Sequence, residues 1–136
     1  MALFNWSDEY SVSVLAMDNH HKKLFDIMNQ MHDSMKAGAD EAVLAKYISE
    51  LVDYTVFHFG EEERMLEQVN YSGIDGQKRA HIAFVDKITE YKKESDEGMT
   101  IFAIPKVSKL GIDWLKEHIV TMDTKYTNEA NAGGFR

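Results

Sequence analysis

A chain of 136 residues, 44% hydrophobic and 28% charged, has the size and apolar content of one domain with its own core. Its net charge of -8 argues against a general phosphate-binding surface and so against nucleic acid as a partner. The absence of cysteine excludes disulfides, thiolate catalysis and Cys-based zinc or iron-sulfur sites, leaving His and carboxylates as the strong metal ligands.

Residues 1–17 scatter Phe4, Trp6, Val12, Val14, Leu15 and Met17 among small and polar residues without a sustained helical period, which predicts an ordered arm lying against the body. From Asp18, a suitable N-cap, Leu24, Met28, Met31 and Met35 form the apolar face of a first helix that stops at Gly38. Extended backwards, this face reaches both His20 and His21, at about 40° and 60° to either side of Leu24, and geometry does not choose between them. The second helix is predicted from Asp40 to Gln68. Its apolar positions Leu44, Ile48, Leu51, Met65 and Val69 continue in steps of four and three through Thr55, His58 and Glu62, so two ionisable groups occupy core positions. A buried carboxylate is costly unless a cation, a set of hydrogen-bond donors or a metal pairs with it.

A polar turn at 70–76 leads to a third helix whose seam reads Ile74, Gln77, His81, Phe84, Ile88 and Tyr91, ending near Ser95 to Gly98. Pro105 suits the first turn of a fourth helix carrying Val107, Leu110, Trp114, Leu115, Ile119, Met122 and Tyr126, and residues 127–136 are expected to form a flexible, fraying tail. Four helices of roughly 20 residues with short connections predict an all-α, antiparallel up-down-up-down four-helix bundle in a single domain spanning 1–136. No apolar run approaches the roughly 20 residues needed to cross a bilayer, and no basic flank precedes an apolar block at the N-terminus, so a cytoplasmic location is expected.

Each helix brings a His to or beside its inward face: His20 or His21, His58, His81 and His118. A lone inward His is ordinarily a satisfied core residue, but gaps of 37, 23 and 37 residues between His21, His58, His81 and His118 let all four lie at one height in an antiparallel bundle. Glu62 lies one turn from His58. Asp123 follows His118 by five residues, about 140° around an ideal helix, the weakest spacing of the set. Imidazoles with two carboxylates suit a borderline metal such as iron better than calcium or magnesium, with zinc chemically possible, and carboxylates that each bridge two ions would explain their burial. Leu24, Phe25, Phe59, Trp114 and Leu115 are candidate walls of an apolar pocket, His32 is expected to be structural or exposed, and the charge run Glu61 to Arg64 is expected to be solvated apart from Glu62.

Met-Asp-Asn-His-His-Lys-Lys-Leu-Phe at 17–25, His-Phe-Gly-Glu-Glu at 58–62, His81 with Phe84, and Trp-Leu-Lys-Glu-His-Ile-Val-Thr-Met-Asp at 114–123 together resemble the hemerythrin family, specifically its bacterial single-domain members. The bundle is also that family's architecture, so the expected fold is not independent of the resemblance. The resemblance implies two non-haem iron ions, cycling between Fe2+ and Fe3+ with an oxo or hydroxo bridge, that bind dioxygen reversibly. It makes His21 and His58 ligands of one iron, which holds oxygen as hydroperoxide, and His81 and His118 ligands of the second, with Glu62 and Asp123 as bridges. Where the family has a further His, this chain has Gln77. Its amide oxygen either coordinates as a weaker donor or bonds a water in the vacant position, and His20, on another helix, is a poor substitute. Oxygen carriage or storage by a monomer, rather than catalysis, is the leading expectation, with an electron-transfer or oxygen-consuming protein as a possible partner. A di-iron oxidase, peroxidase or nitric-oxide-reactive protein is the alternative, and an oxygen or redox sensor the third.

Overall fold

The computed structural model describes residues 4–136, so the first three residues of the expected arm lie outside the described residues. Four long helices make the bundle: α1 (Leu15–Lys36), α2 (Glu41–Gln68), α3 (Ile74–Glu94) and α4 (Thr100–Thr121), followed by a short α5 (Thr127–Ala132). Consecutive helices pack against one another and α4 closes on α1, which gives the expected up-down-up-down bundle. Its interior is a continuous layer of Leu, Ile, Met and Phe, including Leu24, Ile27, Met31, Ile48, Leu66, Ile88 and Ile119.

The helix ends follow from local chemistry. After α1, Gly38 takes φ +78°, and the bonds Gly38 N to Met35 O (3.1 Å) and Ala39 N to Ser34 O (3.0 Å) satisfy its last carbonyls. After α2, Asn70 does the same at φ +54°, with Asn70 N to Glu67 O at 3.2 Å and Tyr71 N to Leu66 O at 3.0 Å. The start of α1 differs from expectation, because Asp18 is not its N-cap. The helix begins at Leu15, and Asp18, in its first turn, instead accepts bonds from Ser11 Oγ (2.6 Å) and Val12 N (2.8 Å), tying down the arm.

The arm packs as expected: Phe4, Tyr10, Val12 and Val14 are buried, and Phe4 and Phe25 stand 3.9 Å apart between ring centroids. Two further differences concern α4. It starts at Thr100, so Pro105 lies inside the helix; the buried Ala103 and Ile104 extend its apolar seam backwards, and a Ser95 to Thr100 hydroxyl contact of 2.7 Å braces the turn. It also ends at Thr121, before Tyr126. Met122 leaves α-helical geometry at φ -118°, and residues Asp123–Tyr126 form a 3-10 turn. Within the expected tail, α5 buries Ala130, and Thr127 Oγ1 donates to Val12 O at 2.7 Å, joining this segment to the arm.

Candidate metal centre

The seven candidate ligands read from the sequence meet inside the bundle. His21 comes from α1, His58 and Glu62 from α2, Gln77 and His81 from α3, His118 from α4 and Asp123 from the 3-10 turn, and every one of them is buried. Glu62 stands between two sets of rings, with Oε2 3.6 Å from His58 Nε2 and 3.8 Å from His21 Nε2, and Oε1 3.0 Å from His81 Nε2. Asp123 spans the same gap from the other side, with Oδ2 3.3 Å from His21 Nε2 and Oδ1 3.1 Å from His118 Nε2. The donors therefore form two triads, His21–His58–Glu62 and Glu62–His81–His118, which share Glu62.

The change of helix type explains Asp123. Five residues of ideal α-helix would turn it about 140° from His118. The departure at Met122 brings both side chains inward instead.

These nitrogens and oxygens are close but not hydrogen-bonded. His21 Nε2, His58 Nε2, Glu62 Oε1, Gln77 Oε1, His81 Nε2, His118 Nε2 and Asp123 Oδ2 are buried without a hydrogen-bond partner; among the described residues, the other such side-chain atoms are the far nitrogen of the same His21 ring, Nδ1, and Ser108 Oγ. Buried polar atoms are rarely left unpaired, so such a cluster of inward lone pairs fits metal cations at its centre. Imidazole and carboxylate donors without thiolates match iron, and a carboxylate common to two triads matches a pair of ions.

Electrostatics support the same picture. Burial alone would raise the Asp123 carboxyl, but His118 and His21 beside it hold it well below its usual range. Burial, then the neighbouring His21, push His58 well below the ordinary imidazole value. For His21, burial is outweighed by Asp123 and Glu62, and for His81 by Glu62 and Glu63, so both are raised.

Four contacts went unread in the sequence. Gln77 Nε2 donates to Asp123 Oδ1 at 2.8 Å, so the residue's inward amide anchors a carboxylate and leaves Oε1 free. Tyr126 OH donates to Glu62 Oε2 at 2.9 Å; a Tyr on a core seam needs a partner for its hydroxyl, which is the signal that could have found it. His81 Nδ1 lies 2.7 Å from Glu63 Oε2, which corrects the reading of Glu63 as solvated, although Glu61 does pair with Arg64 at the surface. His20 Nδ1 lies 2.9 Å from His58 Nδ1.

Of the candidate pocket walls, Leu24, Phe59 and Leu115 line an apolar cavity of about 10 Å³ together with Met28, Thr55 and Phe84, room for one very small molecule. Thr55 keeps its hydroxyl on Leu51 O at 2.7 Å. Phe25 does not line this cavity, because the arm's aromatics hold it, and Trp114 instead stacks on His118 at 4.3 Å and 12°. Phe59 also stacks on His81, at 3.8 Å and 4°. His32 is half-buried.

Comparison with known proteins agrees with this geometry. The family model of the hemerythrin HHE cation binding domain matches residues 13–130. A bacteriohemerythrin of Clostridium acetobutylicum is 33% identical over 131 residues, 91% of this chain and 98% of that protein. A bacteriohemerythrin of Pseudomonas aeruginosa is 31% identical over 94% of this chain and 82% of its own length, and a myohemerythrin of Riftia pachyptila 33% identical over 89% and 88%. The crystal structure of a wild-type hemerythrin superposes with a TM-score of 0.84 at 27% identity, covering 93% of this chain and 97% of that one. Since a cation-binding family model spans nearly the whole bundle and the relatives match along most of their own length, the chain belongs to the hemerythrin family.

Proposed function

We propose that this protein binds dioxygen reversibly, as a carrier or store, at a non-haem di-iron centre. The observation that carries the reading is the set of inward, unpartnered donor atoms arranged as two triads about Glu62. His21 and His58 would hold one iron, His81 and His118 the other, and Glu62 and Asp123 would bridge them. Gln77 Oε1 is the atom left to coordinate the second iron. A ferrous pair supplies the two electrons that reversible oxygen binding draws on.

The chain's own residues do the rest. Tyr126 and Gln77 each donate to one bridging carboxylate, fixing how its oxygens are shared. Leu24, Phe59 and Leu115 line a small apolar cavity, and Phe59 lies flat on His81, so these side chains would help to keep water and external reductants from the centre.

A second reading, a di-iron oxidase, peroxidase or nitric-oxide-reactive protein, is favoured by Gln77, a weaker donor than imidazole. It is favoured too by a surface groove between α2 and α3, lined by Val56, Gly60, Glu63 and Ile82, that reaches His81. One experiment separates the readings. The protein is loaded anaerobically with ferrous iron, the metal counted, and oxygen admitted and then removed. About two irons per chain with visible bands that come and go with oxygen is the expected result. Irreversible oxygen consumption supports the enzyme instead, and failure to take up about two irons sinks both.

A further inference from the structure

His20 stands on α1 directly before His21, half-buried, with its ring 6.0 Å from that of Tyr54 and 5.4 Å from that of Phe57. Its Nδ1 is 2.9 Å from Nδ1 of His58. Two ring nitrogens at this distance form a hydrogen bond when one carries a proton and the other does not, so the geometry fixes the pair and leaves the direction to be argued. The other edge of His58 decides it. Its Nε2 faces the triads, 3.6 Å from Glu62 Oε2 and without a hydrogen-bond partner. A nitrogen that binds metal must present a lone pair, which puts the proton of His58 on Nδ1.

We infer that His20 is a positioning residue for the centre: its Nδ1 accepts the Nδ1–H of His58 and locks that ring in the tautomer and orientation in which Nε2 binds metal. This rests on the proposed role of His58 as a ligand. A metal-bound imidazole commonly donates its second N–H to a fixed acceptor, and loss of that acceptor typically weakens metal binding. On the other triad the corresponding partner is the Glu63 carboxylate, 2.7 Å from His81 Nδ1. His58 is backed by a neutral ring and His81 by an anion, so the two halves of the centre differ in how strongly their imidazoles donate.

The test uses the full chain loaded with zinc, a diamagnetic probe, and 15N-labelled at histidine. The expected result is a scalar coupling across the hydrogen bond between the two Nδ1 nitrogens, with the proton attached to that of His58 and slow to exchange with water. His20→Leu should lose the protected proton and release zinc about 10- to 100-fold faster. His20→Gln, whose amide oxygen can accept, should keep both properties near the parent. A purely space-filling His20 would make the Leu and Gln variants alike, and that result overturns the assignment. So does a proton found on His20 Nδ1. Zinc bound normally with no coupling defeats the His20 role alone, whereas a chain that binds neither zinc nor ferrous iron defeats the metal-centre reading and this inference with it. If His20→Leu does not fold, the coupling in the parent still decides the matter.

Discussion

Gln77 is the residue at which the donor set departs from imidazole, and its amide has two separate roles: the N–H2 steadies Asp123 while Oε1 is free. A neutral amide oxygen donates less charge than imidazole, so on the proposed di-iron reading a Gln77 ligand would make its iron less ready to give up an electron. Gln77→His is therefore expected to raise oxygen affinity, measured by oxygen titration of the ferrous protein; equal affinity in parent and variant would contradict it. Glu63→Gln keeps a hydrogen-bonding group beside His81 but removes its charge. Metal affinity should fall by about 10- to 100-fold, read by competition with a chelator of known strength. Tyr126→Phe removes the donor to Glu62 Oε2 and should destabilise the metal-free protein by about 1–3 kcal/mol in urea denaturation. Burial and then Glu62 hold the Tyr126 phenol well above its ordinary value, so the folded state keeps a proton that the unfolded chain loses near pH ~10. That contribution is full below the unfolded pKa and is lost as pH rises through the folded one. Alkaline destabilisation should accordingly be shallower in Tyr126→Phe.

At the scale of elements, the four long helices were legible because apolar residues recur along each with helical spacing, and His58, Glu62, Gln77 and His81 interrupt that spacing in register. The ends were less so. Asp18 has the chemistry of an N-cap but is used one turn inside the helix, by the arm, a choice that depends on tertiary contacts. Pro105 suits a first turn, yet Ala103 and Ile104 bury fully ahead of it and the helix begins earlier. The exit of α4 was hidden for the same reason: nothing in Thr-Met-Asp-Thr announces a change of helical pitch, although the five-residue step from His118 to Asp123 was the irregularity that marked it. Two glycines test these local arguments. Gly98 takes φ +91° in the Ser95–Met99 reversal between α3 and α4, and Gly98→Ala should cost about 1–2 kcal/mol. Gly60 lies inside α2 with open space where a Cβ would stand, so Gly60→Ala should stabilise by about 0.5–1 kcal/mol. Thermal unfolding of the two variants should thus move in opposite directions.

For the molecule as a whole, metal and proton compete for one set of atoms. Asp123, Glu62 and Glu63 pull His21 and His81 above the ordinary imidazole value in the metal-free protein, and metal must displace any protons they hold. Metal loading is therefore expected to weaken as pH falls through and below that raised range, by roughly tenfold per pH unit for each proton displaced. A titration of metal affinity against pH checks the sign, and affinity that stays flat across mild acid would contradict it. Binding to the folded chain alone should also raise stability, by about 2.7 kcal/mol at free metal a hundred times its Kd. No described helix is long and apolar enough to cross a membrane. The two triads differ in one further respect, which is time. His21, His58 and Glu62 all lie on α1 and α2, whereas His81 waits for His118 and Asp123 near the end of the chain. On a ribosome the first helical hairpin emerges with three donors in hand while the remaining ones are still unmade. Neither half is complete before the last turn is made, because Asp123 reaches His21 as well as His118.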